Sequence, residues 1–258
     1  MSNAISIAAS GLKTEAYYLD KIANDLANLN TPSYKATTLT FEDMVYTNIN
    51  GDNPLFSHQQ AIKIGLGSAV IKSGKDFSPG PLKPSTNWND VAITGAGFYQ
   101  VITAEGNIAF SRNSTLSIDS DRYLCARDGQ RLADNIQVPE DFEKITIKSN
   151  GDVEAIVPDD SEPQLLGSIK LAKFINPETL NPLSAGLYTT TDETADPIVD
   201  EPGSSGIGEL AQHQIENSNV DMVNSLMQLT MTQRIYQINA KAVQIADEME
   251  KLTNEIRG

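Results

Sequence analysis

The chain has 258 residues, of which 40% are hydrophobic and 21% are charged, a balance typical of a folded protein rather than a disordered one. Its net charge of −15 argues against nucleic acid as a partner, because such binding needs a basic surface that neutralises phosphates. The single cysteine, Cys125, excludes an intrachain disulfide and a cysteine-based metal cage, and we expect a buried structural thiol.

The N-terminal segment carries a narrow apolar seam typical of a helix that packs against other helices. Residues recur at intervals of seven in two rows. The first row is Ile5, Leu12, Leu19 and Leu26, and the second row is Ala8, Glu15, Ile22 and Leu29. Glu15 is the clear polar exception. The segment lacks the basic start and continuous apolar stretch of a cleavable secretion signal.

Three asparagines, Asn24, Asn28 and Asn30, lie towards the end of this helical pattern, just before Thr31-Pro32. Asparagine is a mediocre helix former because its amide competes for nearby backbone groups. We therefore predict that these amides bond across a helix interface between subunits. Proline disfavours a helical conformation at the preceding residue, so the helix should end at this point.

Residues 36–80 are predicted to form an extended connector with weak strands, because glycines and prolines recur along them. Beyond it, hairpins follow one another, with turns predicted at Glu105-Gly106, Asp128-Gly129 and Asn150-Gly151. Successive hairpins indicate an antiparallel, β-rich domain over residues 81–205.

The C-terminal segment has a stricter seam, with spacings that alternate between four and three residues, as in coiled coils. Its members are Met231, Ile235, Ile238, Ala242, Ile245, Met249, Leu252 and Ile256. The two terminal seams are predicted to pair with each other or with neighbouring copies, and amphipathic helices packed on the central domain are the alternative. We expect an α+β fold in which coiled-coil-like helices from residues 1–35 and 210–258 form one helical domain.

No motif makes a catalytic case, and we predict neither an enzyme nor a cofactor. The stretch "GAGFYQ" lacks the third glycine of a dinucleotide-binding fingerprint, and strand alternation continues where a helix should begin. His58 and His213 stand apart without metal-ligand spacing. A hydrolase with two carboxylates in a cleft stays open as an alternative.

Three long motifs resemble the axial rod proteins of the bacterial flagellar basal body. They are "GLKTEAYYLDKIANDLANLNTPSYKA", "DVAITGAGFYQV" with "FSRNSTLSID", and "IENSNVDMVNSLMQLTMTQRIYQINAKAVQIADEMEKL". Within the family, "FEDMVYTNI" and the segment around "IGLGSAVIKSGKDFSPGPL" are most similar to the distal-rod type. Ser33 stands where the family usually has glycine, and Asp121-Arg122 replaces a glycine-bearing turn.

The resemblance implies a structural subunit exported by the flagellar type III apparatus without signal cleavage, which polymerises into a hollow, torque-transmitting rod across the periplasm. It implies contacts with copies of itself, proximal rod subunits, the hook protein and the outer ring proteins that act as a bushing. We expect the terminal helices to form an inner tube and the β-rich domain an outer sleeve. A proximal rod or hook-like subunit, a rod-associated peptidoglycan hydrolase and a free adhesin are the alternatives.

The predicted assembly interface combines the two seams with the three asparagines. Its residues are Leu12, Leu19, Ile22, Asn24, Leu26, Asn28, Asn30, Met231, Ile235, Ile238, Ala242, Ile245, Met249 and Leu252.

Overall fold

A computed structural model describes residues 2–44, 46–48, 63–65, 67–126, 129–158, 160–191 and 196–257. The chain divides into two compact units, one of residues 1–27, 37–73 and 221–258, the other of residues 28–36 and 74–220. His58 and Asp128 lie outside the described residues.

The first unit contains two long helices, α1 (Ser2–Ala27) and α2 (Met222–Arg257), which pack against each other. Its strands are β1 (Thr37–Asp43), β2 (Tyr46–Asn48), β3 (Lys63–Gly65) and β4 (Ser68–Lys75), the last of which ends in the second unit. Strand β1 pairs with β4, and β2 pairs antiparallel with β3. Neither helix, over its described residues, has the length and apolarity that crossing a bilayer requires.

The α+β class is confirmed, but the predicted boundaries differ from those of the compact units. The described strands of residues 37–73 belong to the same compact unit as the helices, and the predicted connector over residues 36–80 is not confirmed. Residues 28–35, assigned to the helical domain from the sequence, group with the β-rich unit. The same holds for residues 210–220, which include the end of one strand and the whole of another.

The second unit is built from antiparallel strands over a large apolar core. Its strands are β5 (Leu82–Pro84), β6 (Val91–Thr94), β7 (Phe98–Ile102), β8 (Ile108–Ser111), β9 (Leu116–Ile118), β10 (Leu124–Ala126), β11 (Arg131–Leu132), β12 (Lys144–Ile147), β13 (Asp152–Val157), β14 (Asp160–Ser168), β15 (Leu171–Lys173), β16 (Asn181–Pro182), β17 (Leu187–Thr189), β18 (Ile198–Asp200), β19 (Glu209–Gln212) and β20 (Gln214–Glu216). Short 3-10 helices span Pro177–Thr179 and Ser184–Gly186.

The largest sheet has nine strands, with β16-β17-β8-β7-β11-β10-β9 in order and β15 joining β7 to β18. Separate sheets are formed by β12-β13-β14, by β19 with β6, and by β20 with β5. The antiparallel character is confirmed at every described pairing of this unit with a defined register.

The three predicted hairpins are present, joining β7 to β8, β10 to β11 and β12 to β13. Gly106, Gly129 and Gly151 each have a positive φ, which explains why glycine is needed in these turns. Cys125 lies buried in β10, as expected, and burial raises the pKa of its thiol. The hydrophobic alternation therefore identified the β-rich body correctly.

The two units differ sharply in how much apolar surface they bury. Among the described residues, Ile22 is the only fully buried hydrophobic side chain of the helical unit, whereas the β-rich unit has an extended core around Val101, Leu124 and Leu171. A second cluster packs aromatic rings edge to face, including Phe98, Phe110 and Phe174. The helical unit therefore gains little stability from a core of its own.

Candidate assembly interface

Helix α2 has two distinct faces, and the apolar seam lies on the exposed one. Met231, Ile238, Ile245, Met249 and Leu252 are all exposed, with 66% of the Ile238 surface accessible. Ala242 is also exposed, and Ile235 is half-buried. The predicted seam therefore forms a continuous stripe along the surface of the unit, which we call the apolar stripe: Met231, Ile235, Ile238, Ala242, Ile245, Met249, Leu252 and Ile256.

A different face of α2 is turned inwards. Thr232 is buried, and Leu229, Asn239, Val243 and Ala246 are half-buried. At 3.6 residues per turn, this face lies roughly 120° around the helix from the apolar stripe. Most residues of the apolar stripe therefore lie off the face that is turned inwards, and the predicted pairing of the two terminal seams is not confirmed.

Gly11 of α1 packs against Asn239 of α2. A Cβ atom added to Gly11 would lie 3.2 Å from the amide nitrogen of Asn239, which is tighter than an ordinary van der Waals contact. A glycine inside a helix is unfavourable by about 1 kcal/mol relative to alanine, so its use here indicates a packing requirement. A small residue and a polar side chain thus permit close packing at this point, whereas the residues of the apolar stripe other than Ile235 are exposed.

The predicted residues of α1 are more deeply placed than those of α2. Ile22 is completely buried, whereas Leu12, Leu19 and Leu26 are half-buried. Asn24 is exposed on the helix surface. The buried side of α1 also includes Thr14, Asp25 and the ring of Tyr18, half-buried and edge-on to Phe41 of β1.

The helix ends at Ala27, so two of the three asparagines lie beyond it. Asn28 is followed by a turn in which the Thr31 amide donates to the Asn28 carbonyl at 3.1 Å, and the Thr31 hydroxyl donates to its side-chain Oδ1 at 3.1 Å. The prediction that Asn28 and Asn30 lie on the helix is wrong, because this local capping stops it earlier. Their role between subunits stays a prediction.

A cavity of about 390 Å³ lies in the helical unit between α1, α2 and the β1–β4 pair. Apolar and neutral polar groups dominate its wall, including Phe41, Met231 and Ile235. Glu15, the polar exception in the N-terminal seam, also lines it, and burial raises the pKa of its carboxyl. We call this cavity the Glu15 groove.

The β-rich unit holds a buried ionic cluster that the sequence analysis did not identify. The carboxylate of Glu216 accepts from Lys35 Nζ at 2.8 Å and from Arg112 Nε at 2.9 Å, and all three side chains are buried. The backbone amide of Gly80 donates to the same carboxylate at 2.8 Å. Burial and the neighbouring positive charge of Arg112 lower the pKa of Lys35, although Glu216 opposes this shift.

Hydrogen bonds extend the cluster to the backbone around it. Lys35 Nζ donates to the Ser78 carbonyl, and Arg112 donates to the carbonyls of Gly97 and Gly95. The Asn219 side chain accepts from the Ala36 amide at 2.7 Å and donates to the Asp76 carbonyl at 2.8 Å. These bonds fix residues 28–36 and 216–219, which adjoin the two helices in sequence, to the β-rich body.

The missed residues lie inside the three motifs that carry the family resemblance. Lys35 lies near the end of the first motif, Arg112 belongs to the second, and Glu216 and Asn219 lie near the start of the third. Charged residues of opposite sign in such motifs were an available signal, but nothing in their spacing indicates that they meet. No group of three or more histidine, cysteine or acidic side chains within the described ranges is placed to hold a metal ion.

Comparison of the sequence with known proteins shows which family the chain belongs to. A model described as the flagellar hook protein FlgE/F/G D1 domain matches residues 92–155, and one for the flagellar basal body rod FlgEFG protein C-terminal region matches residues 211–256. The flagellar basal-body rod protein FlgG of Borreliella burgdorferi is 33% identical over all of this chain and 99% of its own. The chain belongs to the FlgG family of flagellar basal-body rod proteins.

Other FlgG proteins are similar over nearly their whole lengths. That of Agrobacterium fabrum is 33% identical, over 98% of each chain, and that of Bacillus subtilis is 30% identical, over 95% of this chain and 96% of its own. The resemblance inferred from the motifs is thus confirmed, and the chain is a structural subunit of the flagellar rod type. The matched C-terminal region includes β20 with Glu216 and almost all of α2 with its apolar stripe.

Proposed function

We propose that this FlgG-family chain polymerises helically with copies of itself into the distal rod, a hollow shaft that transmits torque and encloses the export channel. The observation that carries the proposal is the apolar stripe of α2. Among the described residues, half of the large hydrophobic side chains that are exposed lie on this one helix. A contiguous exposed apolar surface of this kind indicates a protein interface.

The small core of the helical unit supports the same proposal. Helices that bury few apolar side chains are marginally stable alone and become ordered when a neighbour covers their apolar face. Covering the stripe would therefore couple helix stability to polymerisation. Contacts between unlike patches generate a helical filament when their rotation does not close into a ring.

In this proposal the helices line the inside of the rod and the acidic β-rich body faces the ring proteins that form the bushing. The subunit follows the proximal rod subunits and precedes the hook protein. It reaches the periplasm through the type III export apparatus without signal cleavage. The segments "FEDMVYTNI" and "IGLGSAVIKSGKDFSPGPL" favour the distal over the proximal rod, and the proximal and hook-like positions are the alternatives.

The test is electron microscopy of basal bodies from a strain that lacks the gene and is complemented with variants. The full-length chain should restore rod and hook, whereas a chain without residues 221–258 should leave truncated rods. Ile238→Asp places a charge in the middle of the apolar stripe and should also block rod completion. Gln244→Asp adds the same charge to an exposed position on another face of α2 and should complement normally.

Because Ile238 is exposed in the free subunit, its replacement should change the free energy of unfolding by no more than about 0.5 kcal/mol. A loss of assembly with an unchanged unfolding curve would therefore locate the defect at an interface. Complete rods and hooks in the deletion strain, or with Ile238→Asp, would contradict the proposal.

A further inference from the structure

Glu15 is a charged group in an otherwise uncharged groove. No cationic side chain lies among the described residues that line the Glu15 groove, and the carboxylate makes no ion pair or hydrogen bond with any described residue. Partial burial disfavours its charged form, as the raised pKa indicates. The electrostatic attraction between a cation and this carboxylate would therefore be stronger than the attraction between the same cation and a fully hydrated carboxylate.

Arg234 is a complementary group on the same unit. It is exposed beside the apolar stripe of α2 and lines a shallow surface depression with Met227, Met231 and Ile235. Within the described part of the chain, its guanidinium has no ion pair, hydrogen bond or aromatic partner. Met231 and Ile235 line both the Glu15 groove and this depression, yet the two charges do not meet within one chain.

We propose that the apolar stripe of one copy docks over the Glu15 groove of a second copy, so that Arg234 of the first pairs with Glu15 of the second. This inference rests on the proposed function and names the contact by which the chain would polymerise. Met231 and Ile235 line the groove as well as belonging to the stripe, whereas the stripe from Ile238 onward does not line it. The proposed contact therefore joins unlike patches, and such a heterologous contact gives a filament when its rotation does not close into a ring.

The ion pair would also select the register of the helices. Apolar side chains alone tolerate sliding by a heptad, whereas a half-buried carboxylate left without its cation penalises every wrong register. Arginine suits this task because its planar guanidinium can bind a carboxylate with two parallel hydrogen bonds.

The experiment uses charge reversal in the complemented deletion strain, with complete rods counted by electron microscopy. Glu15→Arg and Arg234→Glu should each reduce the number of complete rods at least about tenfold, as expected when one member of a close charge pair is reversed. The double variant should restore rods. Gln237→Glu, which changes charge on another exposed face of α2, should assemble normally.

Co-expression of the two single variants separates a contact between chains from one within a chain. If the pair joins two copies, alternating Glu15→Arg and Arg234→Glu subunits satisfy each other's charges and rods reappear. If the pair forms inside one chain, each variant repels itself and the mixture fails, which would overturn the inference.

Assembly by either single variant, or failure of the double variant, would overturn it as well. Should a reversal prevent folding, judged by circular dichroism of the purified chain, Glu15→Gln and Arg234→Gln replace it, and their effects on assembly should be non-additive. Ile238→Asp distinguishes this inference from the proposed function. If Ile238→Asp blocks assembly but the reversals do not compensate, only the Glu15–Arg234 contact fails.

Discussion

Ser33 and Arg122 hold left-handed backbone conformations, with φ of 59° and 69°, that glycine adopts more easily. Both occupy places where the related motifs carry glycine. Ser33 compensates with its hydroxyl, which lies 2.9 Å from the Ser114 hydroxyl and accepts from the Ser114 amide at 3.1 Å. The departure at Ser33 is therefore accompanied by hydrogen bonds that its own side chain makes.

Two substitutions at Ser33 separate the strain of the left-handed backbone from the contribution of the side-chain hydrogen bonds. Ser33→Ala keeps the strained backbone and loses the hydrogen bonds, so it should lower the free energy of unfolding by about 1–2 kcal/mol. Ser33→Gly loses the same bonds but relieves about 1 kcal/mol of strain and should be nearly neutral. Urea unfolding followed by the fluorescence of Trp88, the single tryptophan, measures both. A glycine variant less stable than the alanine variant would contradict this explanation.

In the buried ionic cluster, we expect replacement of the anion to cost more stability than replacement of one cation. Glu216→Gln leaves the cations of Lys35 and Arg112 buried without an anion, which should cost about 3–5 kcal/mol. Lys35→Met removes a cation whose pKa is already lowered by burial, and it leaves the Arg112–Glu216 pair intact. Its cost should be smaller, about 1–3 kcal/mol.

Thermal unfolding of the two variants, again followed by Trp88, gives the comparison, with Lys148→Met as the control. Lys148 makes an exposed ion pair with Glu154 in the same unit, so its loss should have little effect. Equal losses of stability for Lys35→Met and Glu216→Gln would mean that burial of unpaired positive charge does not determine the cost of disrupting the cluster.

At the scale of elements, α2 shows why a heptad pattern and a packing face need not coincide. The pattern correctly identified a long helix and an apolar stripe. On the face that meets α1, the movable side chain of Asn239 lies against Gly11, where there is little room for a larger side chain. The close contact between Gly11 and Asn239 therefore predicts that a larger side chain at position 11 destabilises the helix pair.

Gly11→Leu should force α1 away from α2 and lower the thermal stability of the helical unit by about 1–3 kcal/mol. Gly11→Ala should be close to neutral, because its gain in helix propensity offsets a contact of 3.2 Å with a movable amide. Thermal melting followed by the helical circular dichroism signal measures this, and Ala9→Leu, at an exposed position of α1, serves as the control. An unchanged melt for Gly11→Leu would show that the helices separate without cost.

At the scale of the whole molecule, the net charge of −15 opposes any association of identical copies. Raising the salt concentration from about 0.01 M to about 1 M shortens the screening length from about 30 Å to about 3 Å. Self-association of the purified chain should therefore increase with salt. Sedimentation velocity measures this, and Ile238→Asp should stay monomeric throughout. Stronger association at low salt would show that attraction between unlike charges outweighs the repulsion.

The sequence by itself determined the secondary-structure classes, the hairpin turns, the apolar stripe and the family. These features depend on periodicity, on turn residues such as Gly151 and on contiguous motifs, all of which are local. The unit boundaries, the inward face of α2, the end of α1 at Ala27 and the Lys35–Arg112–Glu216 cluster were decided by the tertiary structure. Each of them depends on which distant residues come into contact, as Lys35 does with Glu216 across 181 positions, and no local pattern records such a meeting.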